Sequence, residues 1–224
     1  MKSDLKLDWC SYQAAKYAVE HWHYSRKMPA GKAAHVGAWE GGRFIGCVIF
    51  SRGGNNNIGN PFNLKQTQIC ELTRIALTNH LTPVSRVAAI AVRLLCALTP
   101  GLRLVISYAD PKQAHHGGIY QAMGWTYVGT SQPQRELLVA GRFMHKRSAS
   151  AKFGTASPQK IARLTGRQVE YGPIEWKHSY LMPLDAEIAR LGYGFASGRI
   201  LARMGSTDRC APNRARDSNQ CLVR

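Results

Sequence analysis

The chain has 224 residues and a formal net charge of +17, from 30 lysines and arginines against 13 aspartates and glutamates. An excess of this size favours a polyanionic partner, most simply nucleic acid, over a small neutral molecule. The positive charge is spread along the chain, because residues 1–150 hold 18 basic and 7 acidic side chains and residues 151–224 hold 12 basic and 6 acidic side chains.

Nothing resembles a signal peptide or a membrane-spanning run, so we expect a cytoplasmic protein without membrane contact. The six cysteines never approach C-x-x-C spacing, which argues against a disulfide framework and against structural zinc.

Hydrophobic periodicity and turn residues predict an alternation of helices and strands. The predicted elements, in chain order, are helix 9–25 with Ser11 as N-cap, strands 35–40 and 43–51 about a Gly41-Gly42 turn, a polar loop over 53–63, strand 67–78, a helix that starts at 81–83 and runs to 101, strand 102–108, helix 118–123, strand 125–132, a hairpin within 135–147, helix 157–166 and a final strand 177–184.

This order predicts a three-layer α/β fold with a central mixed, mostly antiparallel sheet flanked by helices. It is similar to the order in GNAT acyltransferases, whose coenzyme A pyrophosphate sits on the N-terminus of the helix after the fourth strand. The matching helix here begins near Pro83, and Ser85, Arg86 and Val87 are its candidate cofactor-binding residues. The glycine loop usual in that family, Q/R-x-x-G-x-G/A, is absent. We expect a GNAT-like domain over residues 1–185 and a basic, partly disordered extension over 186–224.

Two carboxylates mark the candidate chemical centre. Between Gly41 and Arg135 the acidic residues are Glu71 and Asp110, each on an apolar strand, and the two strands are expected to be neighbours. Arg74 lies three positions from Glu71 and so on the opposite face of a regular strand, which leaves Arg86 or Arg103 as alternative ion-pair partners. Asp110 precedes Pro111, so capping a turn is its alternative role.

Histidines and tyrosines surround these acids in the sequence. His21, His23, His115 and His116, with Glu71 and Asp110, are the ligand types of a histidine/carboxylate iron site, for which we select His23, Asp110 and His116. The alternative for His23 and Asp110 is to act together as a base. Tyr24 and Tyr120 are candidates for general acid/base or orienting hydroxyls, and ordinary packing is an equal alternative for both.

A set of basic residues is expected to contact DNA phosphates: Arg26, Lys27, Lys32, Arg52, Arg142, Lys146 and Arg147. Chemistry on a base of a duplex requires the base to leave the stack. Trp22, Trp39 and Phe62 are candidate aromatic residues to receive it, with core packing as the alternative.

Four strings carry a resemblance to a known family: HYSRKMPAGK (23–32), VIFSRGGNNNIGNPF (48–62), CELTRIALTNHLTPVSR (70–86) and YADPKQAHHGGIYQAMGW (108–125), with a weaker match at KHSYLMPLD (177–185). Through them the chain resembles the Mom DNA-modification proteins of Mu-like bacteriophages. The resemblance implies a GNAT-like transferase in the host cytoplasm that converts adenine in double-stranded DNA to N6-carbamoylmethyladenine, which protects the DNA from host restriction endonucleases. It also implies a bound iron and a link to acetyl-CoA or another small donor.

Carried onto this chain, the family's active residues are His23, Tyr24, Glu71, Arg74, Ser85, Arg86, Asp110 and Tyr120. Two other interpretations stay open. A GNAT-type N-acyltransferase would use acetyl-CoA on a protein or small amine. A non-catalytic basic DNA-binding protein would leave the embedded acids and the histidines without a role.

Overall fold

The computed structural model of the protein describes residues 4–53 and 57–190. In this part of the chain the strands and helices are β1 (Leu5–Trp9), α1 (Tyr12–Trp22), β2 (Ala33–Glu40), β3 (Arg43–Ser51), β4 (Ile69–Leu77), α2 (Val84–Leu98), β5 (Leu104–Ala109), α3 (Gly118–Ala122), β6 (Thr126–Thr130), β7 (Gln134–Val139), β8 (Arg142–Met144), α4 (Lys146–Phe153), α5 (Pro158–Thr165), β9 (Val169–Glu175) and β10 (His178–Pro183), with a last helical stretch over 186–190.

The main sheet has seven strands in the order β1-β2-β3-β4-β5-β10-β6. β4 and β5 are parallel, and every other neighbouring pair is antiparallel. The parallel pairing requires a crossover, which α2 supplies. The prediction of a mixed, mostly antiparallel sheet in a GNAT-like α/β fold is therefore confirmed.

Helices cover both faces of this sheet. The face that carries Val48, Leu72 and Val105 packs against α2 and α3 in the largest apolar cluster. The opposite face packs against α1 through Cys47, Ile49 and Ala76, and its other half packs against the loop between β3 and β4. The amphipathic pattern of α2 explains its position, because its buried residues recur at helical spacing over Val87–Leu95.

β4 and β5 separate part of the way along their length. Their pairing runs from Ile69 with Leu104 to Leu72 with Ser107, and beyond Leu72 β4 continues only against β3. The Ser107 hydroxyl donates a 2.8 Å hydrogen bond to the Leu72 carbonyl at this point. This bond satisfies the carbonyl of the last β4 residue that pairs with β5. A gap between the two strands opens here.

A second sheet of three strands, β8-β7-β9, forms beside the first. α4 and α5 cover one of its faces through Ala149 and Ile161, which pack on Leu137 and Val139. Ser157 caps α5 as predicted, its hydroxyl accepting from the Lys160 amide.

Several elements differ from the prediction. α1 is shorter than 9–25: Ser11 is its N-cap, as expected, but Trp9 lies in β1, a strand the sequence did not predict. β1 alternates charged and apolar residues over five positions, and its pairing with β2 holds it. α4 and β9 lie largely in the polar segment 148–172, for which only the α5 helix was predicted.

No helix in the described segments is both long enough and apolar enough to span a bilayer. Most of the predicted 186–224 extension lies outside the described residues.

Candidate active site

A β-bulge in β4 brings Glu71 and Arg74 to one face of the sheet. Glu71 is opposite Ser51 and Arg74 is opposite Ile49, while Thr73 is the extra residue between the pairs. Ser51 and Ile49 point to the same side of β3, so their partners do too. The expectation that Arg74 faces away from Glu71 was therefore wrong, because strict alternation does not hold across a bulge. Arg103, one proposed partner of Glu71, instead pairs with Asp185 at 2.6 Å and with Glu187 at 2.7 Å.

The end of α1 delivers His23 and Tyr24 to this same face. His23 ends the helix in an extended conformation, and its amide still donates to the Val19 carbonyl. The rings of His23 and Tyr24 lie 4.3 Å apart. Arg74 holds this segment to β4, because its Nε donates to the Lys27 carbonyl at 3.4 Å and another of its nitrogens donates to the Thr73 carbonyl at 2.7 Å.

The tautomer of His23 follows from one hydrogen bond. The Ser25 amide donates to His23 Nδ1 at 3.1 Å, and an amide N–H has no acceptor role. Nδ1 is therefore unprotonated, and the neutral ring carries its hydrogen on Nε2. Burial, and next the positive charges of Arg74 and His115, lower the pKa of His23 to about 4. His23 is thus a neutral hydrogen-bond donor at physiological pH.

Asp110 lies at the end of β5, with its half-buried carboxylate near Tyr24. One carboxylate oxygen accepts from the Lys112 amide at 3.0 Å and caps the turn that begins at Pro111. The other lies 3.8 Å from Nζ of Lys177. Burial raises the pKa of Tyr24, and the negative charge of Asp110 raises it further. Asp110 therefore has the capping role considered from the sequence and also faces the site.

The loop after this turn places His115 and His116 differently. The His115 ring meets Tyr24 edge-on, with ring centres 5.6 Å apart. The His116 carbonyl accepts from the Tyr180 hydroxyl at 2.7 Å, and its ring lies beside Gly118. Gly117 has a φ of +80°, and a Cβ there would come within 2.2 Å of the Tyr180 ring. Glycine is therefore required at this position for both its backbone conformation and its size.

Tyr120 reaches the site from the other side of the sheet. It is buried on α3, and its hydroxyl donates a 2.7 Å hydrogen bond to the Ser107 oxygen, because the Ser107 proton is already donated to the Leu72 carbonyl at the point where β4 and β5 separate. Burial, and to a smaller extent the charges of Tyr24 and Glu71 on the opposite face, raise the pKa of Tyr120 to about 12. The gap between the strands is thus where groups from both faces meet. Ser107 was not predicted as a site residue, although it is a polar residue within an apolar strand.

Glu71 borders the gap on the α1 side. The Tyr108 side chain shares its face, and burial followed by the charge of Glu71 raises the pKa of Tyr108 to about 12. The backbone that follows β3 also approaches Glu71, since a Cβ on Gly53 would lie 3.1 Å from its Oε2. The next residues of that loop, 54–56, lie outside the described residues.

The predicted cofactor-binding helix end already holds a carboxylate of the chain. Pro83 is the N-cap of α2, with Ser85 half-buried, Arg86 exposed and Val87 buried after it. Glu40, at the end of β2, accepts from the Leu81 and Thr82 amides at 2.8 and 2.7 Å. These two amides lie directly before the helix end that was predicted to bind the pyrophosphate. A coenzyme A pyrophosphate therefore fits this loop poorly, because Glu40 uses two of its donors and adds a negative charge.

The predicted iron ligands do not form a metal-binding set. In residues 4–53 and 57–190, no group of three or more His, Cys, Asp or Glu side chains is arranged to hold a metal ion. His23, Asp110 and His116 therefore do not converge as a three-ligand site. The lone pair of His23 Nδ1 is also engaged by the Ser25 amide.

The predicted DNA contacts fall into two groups. Arg26, Lys27, Lys32 and Arg52 lie on the loops that flank α1, β2 and β3, all exposed. The second group lies in the region of the three-stranded sheet: Arg142 is on β8, and Lys146 and Arg147 are in α4, which packs on this sheet. The proposed base receptors are packed instead: Phe62 is 7% exposed, and Trp22 and Trp39 both pack against Phe44.

Together these features define a class: an α/β chain of GNAT-like fold whose candidate active site groups His23, Tyr24, Arg74, Asp110 and Tyr120 around the gap between its two parallel strands. The model of the Mom protein family matches residues 4–194, and the chain belongs to this family.

A curated relative is the methylcarbamoylase Mom of Escherichia phage Mu, 25% identical over 133 residues. That alignment covers 58% of this chain and 55% of the relative, so the chain matches about half of the relative's length. Solved structures with a similar fold include an acetyltransferase of Bacillus subtilis in complex with CoA, with a TM-score of 0.47, 11% identity, and coverage of 82% of this chain and 100% of that one. FeeM, an N-acyl amino acid synthase from uncultured soil microbes, gives a TM-score of 0.46, 12% identity, and coverage of 91% and 98%.

Proposed function

We propose that this protein is a transferase that modifies adenine in double-stranded phage DNA to N6-carbamoylmethyladenine, and thereby protects that DNA in the host cell from restriction endonucleases. Membership of the Mom family supports DNA modification as the general activity. The observation that carries the proposal for this chain is the convergence of His23, Tyr24, Asp110 and Arg74 at the gap between β4 and β5.

The reaction requires a group that accepts a proton, fixed partners for the charge that develops on the donor, and a surface that holds the adenine ring. The N6 amine of adenine is a weak nucleophile, because its lone pair is delocalised into the ring. As nitrogen attacks the donor carbon, it must lose a proton, and Asp110 is our candidate to accept it. The donor's leaving group departs with the electron pair of the bond that breaks.

Charge that develops on the donor needs a fixed partner. His23 presents Nε2–H as a neutral donor, and Arg74 is held by two backbone carbonyls, so neither must reorganise during the reaction. Tyr24, which is half exposed between His23 and His115, lies where an adenine ring would pack. Tyr120 borders the gap from the opposite face of the sheet.

The resemblance to the Mom family also implies iron and acetyl-CoA, and no step proposed here depends on either.

Co-expression with a plasmid tests the proposal. Plasmid DNA is digested to nucleosides and analysed by mass spectrometry, with an empty vector as control. We expect an adenine nucleoside heavier by the carbamoylmethyl group, and resistance of the intact plasmid to nucleases whose sites contain the modified adenine. Unmodified DNA together with acetylation of an added amine would instead establish the N-acyltransferase interpretation.

A further inference from the structure

The three-stranded sheet exposes an aromatic ring on the face that α4 and α5 leave uncovered. Leu137 and Met144 are paired and point toward the helices. Phe143 pairs with Leu138, the next residue along β7, so both point the other way. Phe143 is 58% exposed, and Tyr171 and Ile174 of β9 in the same sheet are exposed as well.

Gly172 of β9 provides the seat for this ring. A Cβ on Gly172 would lie 2.9 Å from Phe143 Cε1 and 3.3 Å from the Glu136 carbonyl oxygen. The missing side chain lets the phenyl ring rest directly on the strand. One side of the ring is therefore supported by backbone, and much of the rest of its surface is open to solvent.

This ring adjoins the candidate active site. Nζ of Lys112 lies 6.0 Å from the ring centre and pairs with Glu175 of β9. Lys112 is also the residue whose amide the Asp110 carboxylate accepts. Lys177, just after β9, faces Asp110 from the other side. The turn after β5 thus connects the Phe143 face to Asp110 through the contacts of Lys112 and Lys177.

The surroundings carry positive charge. Residues 134–177 include nine lysines and arginines against three glutamates, and Arg142, next to Phe143, is exposed. A planar apolar ring among cations complements a nucleic acid, which offers flat bases and phosphates together. A purely apolar partner would leave these charges desolvated without partners.

We propose that Phe143 is a stacking platform for a nucleobase of the DNA, adjacent to the adenine that enters the site at Asp110. The proposal rests on the proposed function and deepens it, because it assigns recognition of the unstacked DNA to the three-stranded sheet. The bases next to an extruded adenine lose one stacking neighbour, and the Phe143 ring replaces it. Arg142 and Lys177 contact the flanking phosphates.

The test measures equilibrium binding of the full-length protein to a duplex with 2-aminopurine beside the target adenine, over a series of salt concentrations. We expect Phe143→Ala to weaken binding about tenfold, within the range found when a stacked aromatic is removed, and to abolish quenching of the 2-aminopurine fluorescence that follows stacking. The slope of log K against log salt stays unchanged, whereas Arg142→Gln lowers that slope by about one.

Two further variants separate stacking from simple burial. Phe143→Leu keeps an apolar side chain on Gly172 but has no π-face, so it behaves as Phe143→Ala; Phe143→Trp retains affinity. Leu164→Ala, which removes an exposed apolar residue on α5, leaves binding unchanged. Thermal unfolding of each variant verifies that the fold persists.

Wild-type affinity and quenching in Phe143→Ala or Phe143→Leu would overturn the platform. If such a variant still yields modified adenine at the wild-type rate, the proposed function stands and the platform fails alone. A wild-type protein that neither binds the duplex nor modifies it would contradict both the stacking platform and the proposed function.

Discussion

Glu71 and Arg74 share one face of β4 because Thr73 is an extra residue in the strand, opposite the step between Ile49 and Phe50 of β3. The bulge lies just beyond Leu72, where β4 and β5 cease to pair. Both irregularities therefore fall at one level of the sheet, and the residues implicated in chemistry gather there. Bulges commonly redirect side chains beside active sites in this way.

Asp110→Asn should reduce adenine modification at least a hundredfold while leaving DNA affinity within about twofold, since the expected loss is one of proton acceptance. Asparagine keeps an oxygen that accepts from the Lys112 amide, so the turn at Pro111 is preserved. Nucleoside mass spectrometry of co-expressed plasmid gives the rate. Asp8→Asn on β1 removes an equal charge away from the site and serves as the control. Undiminished modification in the Asp110 variant would exclude the assigned role.

The pKa of His23 offers a second prediction. We expect an NMR titration of its ring to give a value of about 4, below the usual 6.5, because burial and the charges of Arg74 and His115 disfavour the imidazolium. Arg74→Gln removes one of these charges and should raise the pKa, though not to 6.5, since burial is the larger cause. His23→Gln assigns the resonance. A wild-type pKa at or above 6.5 would contradict the placement of His23 in a buried site beside Arg74.

The same shift determines a dependence of stability on pH. Between pH 6.5 and about 4 the unfolded chain binds a proton at His23 that the folded protein does not, so stability falls as pH falls through this window. The contribution is fully present above 6.5. Chemical denaturation at a series of pH values should show a shallower decline for His23→Gln than for the wild type.

Gly117→Ala and Gly124→Ala form a matched pair. Both glycines have positive φ, +80° and +74°, so alanine carries a backbone penalty of about 1 kcal/mol at each. At Gly124 a Cβ meets nothing within 4 Å, whereas at Gly117 it would collide with the Tyr180 ring. We expect the Gly117 variant to lose about 2 kcal/mol more in urea denaturation. Equal losses would show that the Tyr180 contact relaxes without cost.

Glu40→Gln examines the loop before α2. Glutamine keeps an oxygen for the Leu81 or Thr82 amide but removes the negative charge, so coenzyme A should bind more tightly to the variant than to the wild type. Isothermal titration calorimetry measures both affinities. Tight binding of coenzyme A by the wild type, lost on Arg86→Ala, would instead place the pyrophosphate at this helix end.

Much of the architecture was predictable from local sequence. The apolar run at 102–108 and the Glu71 strand indicated two neighbouring buried strands, Pro83 marked the start of α2, and Ser11 and Ser157 marked two helix starts. Each signal depends on residues close in the chain, where steric limits and capping hydrogen bonds act. The strings around His23, Glu71 and Asp110 likewise carried the family resemblance.

The tertiary structure decided what depends on partners distant in sequence. The bulge at Thr73 is a register relation between β3 and β4, so no pattern within β4 reveals that Glu71 and Arg74 share a face. β1 is a strand because β2 offers it an edge, and Tyr120 meets the site only where β4 and β5 separate. The sequence by itself therefore determined which residues carry the chemistry's functional groups, whereas packing and strand register, which are set by long-range contacts, decided which of them meet.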